Sequence, residues 1–186
     1  MNARMGEPVS DAIAATRRWL ERAVIGLNLC PFAKAAHLKR QIRWVESEAT
    51  DAESLLADLV VELQRLAAAD PEAIDTTLLI HPRALADFLD YNDFLDLADA
   101  AVGELGLEGV IQVASFHPDY RFADAAEDDA ANFSNRSPYP MLHLLREASL
   151  ERALEAFPDA ATIYERNIET LRRLGHAGWR ALMAAP

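Results

Sequence analysis

Cysteine is nearly absent from this chain. Cys30 is the single one among 186 residues, so no internal disulfide can form, and a reducing, cytoplasmic setting is the expectation. Positive charge is scarce too: 18 Lys and Arg against 30 Asp and Glu leave a formal charge of −12. Neutralising phosphates takes a basic surface or stripe, so no nucleic-acid partner is expected, and an anionic membrane would repel the chain. Long apolar runs are missing as well. Nothing approaches the roughly 20 residues of a membrane span. The N-terminus lacks the apolar centre of a signal peptide, being interrupted by Glu7, Asp11 and Glu21, with AVIGL as its best run.

Several catalytic signatures are also lacking. There is no GxSxG, HExxH or CxxC. Gly103, Gly106 and Gly109 do not form a phosphate loop, because no lysine follows and the strand comes after them. Trp19, Trp44 and Trp179 lack the basic neighbours of a nucleic-acid stacking platform. What remains is a soluble, acidic chain that is 51% apolar, enough to bury a core without staples.

Its periodicity alternates between helix and strand. Ser10 is a good N-cap for a helix over 11–28, with Ile13, Leu20, Val24 and Leu27 on the apolar face. QIRWVES (41–47) reads as a strand. Thr50-Asp51-Ala52-Glu53 forms a capping box for a helix carrying Leu56, Leu59, Val60 and Leu63, closed by Asp70-Pro71. TTLLIHP (76–82) is a second strand. Helical segments follow from Arg83 to Leu105, with a break near Asp90-Tyr91-Asn92, before a third strand at 109–118. A polar connection of about 22 residues comes next, and the chain then reads as helical over 139–148, 149–156 and 158–174, stopped by Gly175. The prediction is a flexible N-terminus (1–10) and one α/β domain (11–186). Its sheet is small, mostly parallel and three-stranded (βαβαβ), covered by helices, with a helical C-terminal third.

Two strands end alike, in LLIHPR (78–83) and ASFHPDYRF (114–122). In a parallel sheet His81 and His117 share the carboxyl edge, where open α/β sheets bind ligands. The plainer reading makes both histidines strand-end residues bonded to loop carbonyls. On the first reading His117 is a general acid or base oriented by Asp119, with His81 and Tyr120 as pocket walls. In the long connection Asn132, Asn135, Arg136 and Ser137 precede a proline-started helix. Guanidinium plus helix-start amides suits a carboxylate or phosphate, unless Asn135 and Ser137 cap that helix and Arg136 pairs with the acidic stretch before it.

His143 and Glu147 fall on one helical face, and with His117 and Asp119 they offer a weak metal pattern; no metal is assigned. Cys30 before Pro31 reads either as the N-cap of a new helix, where a thiolate is favoured, or as a buried filler.

NLCPFAK, SFHPDYRF and above all NRSPYPMLHLLRE resemble an uncharacterised bacterial family, domain-of-unknown-function family fourteen-fifteen, over about Thr16 to Leu182. The resemblance implies a single-domain bacterial protein and transfers no residue role. The residues themselves point to a small-molecule enzyme, an acyl-type hydrolase or transferase with an anion pocket and Cys30 as nucleophile. The alternative is a non-catalytic small-anion-binding or protein-interaction module, the latter using Leu171, Leu174, Trp179, Leu182 and Met183. Cofactor and oligomeric state are left open.

Overall fold

The computed structural model describes residues 10–155 and 160–184; apart from Ser10, the flexible start expected over 1–10 lies outside them. Ser10 caps helix α1 (Asp11–Trp19) by accepting from Ile13 N at 3.2 Å, and the helix continues as a π-helical segment, Leu20–Ile25. Helix α2 (Ala33–Leu38) leads to strand β1 (Ile42–Glu46). The cap of helix α3 (Ala52–Ala68) is Asp51 rather than Thr50, and its carboxylate accepts from Ser54 N at 2.8 Å. Strand β2 (Thr76–Ile80) follows. Helix α4 (Phe88–Glu104) starts later than expected, at the Asp87 cap, and runs unbroken through Asp90-Tyr91-Asn92.

Strand β3 (Ile111–Phe116) and a short 3-10 turn (Ala130–Ser134) precede the element that changes the topology. Residues Met141–Arg146, expected in a helix, form strand β4. The sheet therefore has four strands in the order β1-β2-β4-β3, not three in a mostly parallel arrangement. β1 pairs parallel with β2, while β4 runs antiparallel to both β2 and β3. Met and Leu favour helix intrinsically, but β4 lies between two other strands and is covered on both faces. Such a strand shows no apolar–polar alternation to betray it. Helix α5 (Glu147–Glu155) and helix α6 (Ala160–Ala184) complete the chain. Within α6 two helical stretches meet at Gly175, whose non-helical φ of 63° a side chain would oppose, so the expected stop falls at that glycine and a further helical stretch follows it.

Each face of the sheet packs against helices. On one side Leu55, Leu59, Leu63 and Leu66 of α3 and Tyr91, Phe94 and Ala98 of α4 enclose Leu79, Leu142 and Leu144. On the other, Trp19, Leu20, Ala23 and Val24 cover Leu78, Ile80 and Met141, joined by Trp179, Leu182 and Met183 from α6. Trp179, Leu182 and Met183 thus cover the sheet, one of the two uses open to them from sequence, while Leu171 packs with Leu29, Ala130 and Phe133. Arg146, pointing to the α3 side, donates to Leu66 O (2.6 Å), Ala69 O (2.8 Å) and Ile74 O (3.2 Å). Its charge satisfies the carbonyls left over at the end of α3.

The long connection between β3 and β4 is built rather than loose. Asn132 is fully buried; its oxygen accepts from Phe122 N and its amide donates to Ala126 O and Glu127 O. Asp129 caps the 3-10 turn and pairs with Arg172 of α6 at 2.6 Å, while Phe133 stacks on Trp179 with ring centres 4.8 Å apart. Among the described residues no helix is long and apolar enough to cross a membrane.

Candidate functional site

Strands β1, β2 and β3 point the same way, so His81 and His117 follow β2 and β3 at one edge, and both rings lie against Tyr91, at 5.8 and 5.0 Å. Their nitrogens serve the backbone. Asp119 N donates to His117 Nδ1 at 3.0 Å, which leaves the proton on Nε2, donated to Leu85 O at 3.2 Å. The partner is the amide of Asp119 and not its exposed carboxylate, so the expected carboxylate-oriented base is not assembled. His81 Nδ1 donates to Ala84 O at 3.0 Å, while its buried Nε2 has no partner. Burial pushes the His81 ring down to about 4 and lowers His117 as well. Together the two histidines hold the 81–86 turn, including Leu85 at a φ of 55°, an uncommon conformation for a branched residue.

Arg136 follows Asn135, whose carbonyl accepts from His117 N at 3.1 Å, but its guanidinium serves the backbone. Its Nε donates to Tyr120 O (3.0 Å) and one terminal nitrogen to Glu127 O (2.7 Å), while the guanidinium covers Phe133. The helix start thought to assist it does not exist, because Ser137 and Pro138 lead into β4; Ser137 Oγ donates to Tyr139 O at 2.6 Å. The cleft beside Arg136 is lined by Asp119, Glu127, Asp128 and His176. These surroundings are acidic. Tyr120 packs between Phe88 and Phe122, at 5.4 and 5.1 Å.

The concave site lies elsewhere, on the sheet face opposite α3 and α4. A cavity of about 440 Å³ opens between β2, β4, the α1–α2 corner and helices α5 and α6. Trp19, Leu78, Phe116, Phe122, Met141 and Ile168 supply much of its apolar wall. The volume falls within the roughly 300–1,000 Å³ of small-molecule sites, and an apolar lining with a few placed polar groups is their usual character. Cys30, Asn135, Thr76 and His143 also line it.

His143 occupies the middle of the cavity floor. Strand alternation turns Met141, His143 and Leu145 to this face, with Leu78 and Ala114 beside His143 on the neighbouring strands. It does not share a helical face with Glu147, which begins α5, so the expected His–Glu pair dissolves. Its Nε2 lies 2.6 Å from Thr76 Oγ1. Enclosure by protein pushes the imidazole down to about 4, so it is neutral at pH 7. No cluster of three His, Cys, Asp or Glu suited to a metal occurs among the described residues.

Cys30 shares this cavity but is not a helix cap. Helix α2 begins at Ala33, with Phe32 in the cap position. Burial pushes the thiol up, against the weaker pull of the Phe32 and Ala33 amides, so it stays protonated. Asn135 holds two segments together, donating to Ser115 O at 3.1 Å and accepting from Ser134 Oγ at 3.0 Å. Sequence reasoning missed Thr76, Trp19 and Asn167 as cavity residues. The signal available was His143 itself, the one polar residue in an otherwise apolar MLHLL run.

Comparison with family models matches residues 11–181 to a family described as Protein of unknown function (DUF1415). The chain belongs to that family, as the resemblance of its motifs implied. No curated protein and no solved structure matches it.

Proposed function

For this DUF1415 chain we propose a small-molecule binding function, seated in the cavity on the sheet face and directed to an uncharged, largely apolar ligand. The observation that carries this reading is an apolar cavity of about 440 Å³ whose floor holds one neutral imidazole, His143. Burying an apolar ligand there gains about 25 cal/mol per Å² removed from water.

An anionic ligand has less support. Arg146, the cation beside the cavity, already donates to three backbone carbonyls, and Asp75 contributes negative charge to the lining. Arg136, the receptor expected from sequence, faces an acidic cleft. The acyl-transfer reading built on Cys30 and His117 also weakens, since it needs a thiolate at Cys30 or a free ring nitrogen on His117. The Cys30 thiol is held protonated, and both His117 nitrogens are engaged. Of the two functions expected, the binding module is favoured, with a neutral ligand in place of an anion.

The test is a thermal-shift and calorimetric screen of neutral aromatics against carboxylates and phosphates, using wild type and Ala36→Phe. Ala36 lines the cavity from α2, so the larger ring fills space without touching the sheet core. Neutral aromatics are expected to raise the melting temperature of wild type by mass action and to lose that effect in a folded Ala36→Phe. Stabilisation by anions alone, abolished by Arg136→Ala, would overturn the proposal.

A further inference from the structure

The hydrogen bonds beneath His143 define which group of the ligand it can meet. Thr76 Oγ1 lies 2.6 Å from Leu144 O and 2.6 Å from His143 Nε2. A carbonyl oxygen only accepts, and a hydroxyl has one proton to donate. That proton goes to Leu144 O, so Thr76 Oγ1 must accept from His143, and the ring's hydrogen sits on Nε2. In the neutral ring Nδ1 then carries a bare lone pair. Among the described residues no hydrogen bond reaches Nδ1, and it is not among the buried unpartnered atoms, so its surface is open to the cavity that His143 lines.

Other donors around the cavity are engaged with backbone carbonyls or with a neighbouring carboxylate. The Asn135 amide donates to Ser115 O, the Asn167 amide to Leu29 O at 2.7 Å, and Ser149 Oγ to Asp75 at 2.5 Å. The open position on the floor is therefore an acceptor, set among Trp19, Phe116, Leu78 and Met141. A carboxylate or an ether oxygen placed against Nδ1 would bring lone pair to lone pair. A hydroxyl or N–H group would complete the bond.

We infer that the ligand is a neutral, largely apolar molecule bearing one hydroxyl or N–H donor, which it gives to His143 Nδ1. This rests on the cavity being the binding site, and it adds the class of molecule and its orientation. Thr76 acts as a positioning residue: by accepting from Nε2 it fixes which nitrogen faces the ligand. The same device would select an alcohol over its ether with no cation in the site.

The test compares three aromatic probes of similar shape, a naphthol, its methyl ether and the corresponding naphthoate, by calorimetry with wild type and His143→Phe. One net hydrogen bond predicts that wild type binds the naphthol about threefold to tenfold more tightly than the ether. In His143→Phe that ratio should fall to near one while the ether still binds. Nitrogen NMR of wild type checks the tautomer separately: Nδ1 should show the shift of an unprotonated ring nitrogen, and should move when the naphthol binds but not with the ether. Equal binding of naphthol and ether, or a protonated Nδ1, would overturn the inference while leaving the cavity reading intact. Tightest binding of the naphthoate would overturn the neutral class. Failure of all three to bind would remove the cavity reading itself, and this inference with it.

Discussion

Thr76 Oγ1 and His143 Nε2 stand 2.6 Å apart across the β2–β4 pairing, at the floor of the cavity, and the same hydroxyl donates to Leu144 O. Thr76→Val keeps the shape of the side chain and removes both bonds. An enclosed imidazole N–H left without an acceptor costs about 1–3 kcal/mol. Denaturant midpoints are expected to fall accordingly. Nitrogen NMR should show His143 redistributing between its two tautomers, and a substitution that leaves the tautomer fixed would contradict the assigned role of Thr76.

Acid should destabilise the fold before most carboxylates titrate. Burial holds His81 and His143 down at about 4 against an ordinary 6.5, and lowers His117 in the same direction. Between those values the unfolded chain binds protons that the folded chain does not. Stability is therefore lost as pH falls from about 6.5 to about 4, by up to roughly 3 kcal/mol for each of the two deeply shifted rings. Urea midpoints measured through that range should decline, and His143→Phe should flatten the decline. A midpoint that held constant down to pH 4 would show that these rings are not buried as neutral bases.

Tyr91→Phe tests the end of the β3–β4 pairing. The Tyr91 hydroxyl donates to Met141 O at 2.8 Å and accepts from Phe116 N at 2.9 Å, tying together the strand ends whose side chains also line the cavity. Without it the Phe116 amide loses its acceptor, at an expected cost of about 1–3 kcal/mol. Amide exchange at Phe116 should accelerate more than exchange at Val113, in the middle of the strand.

Arg136→Ala separates the two sites. Its guanidinium holds Tyr120 O and Glu127 O, not a cavity wall. Hydrogen exchange should quicken across 120–129 while binding of neutral aromatics is retained. Loss of that binding with an unchanged exchange pattern would return Arg136 to the ligand site.

The HP dipeptides after β2 and β3 turn out to be turn-builders. Proline stops each strand, and both histidines satisfy carbonyls of the 81–86 turn, His81 at Ala84 O and His117, from across the sheet edge, at Leu85 O. Their position at one edge was legible because three strands separated by helices run in one direction. Their service to the backbone was not, because it depends on where the 81–86 turn lies in space.

By itself the sequence determined the local elements whose signals are local. Ser10 caps α1 through its own side chain, the apolar spacing of α3 marks its buried face, and Thr76–Ile80, apolar for most of its length, is a strand buried along its whole course. The excess of acidic residues and the lone Cys30 were equally plain. Only the tertiary structure decided that Met141–Arg146 is a strand, because its conformation comes from pairing with β2 and β3 on both sides and not from the intrinsic preference of Met and Leu. That one assignment turns His143 from a helix face to the floor of a cavity. Its hydrogen-bond partner, Thr76, lies 67 residues earlier in the chain, and no spacing rule reaches across a sheet.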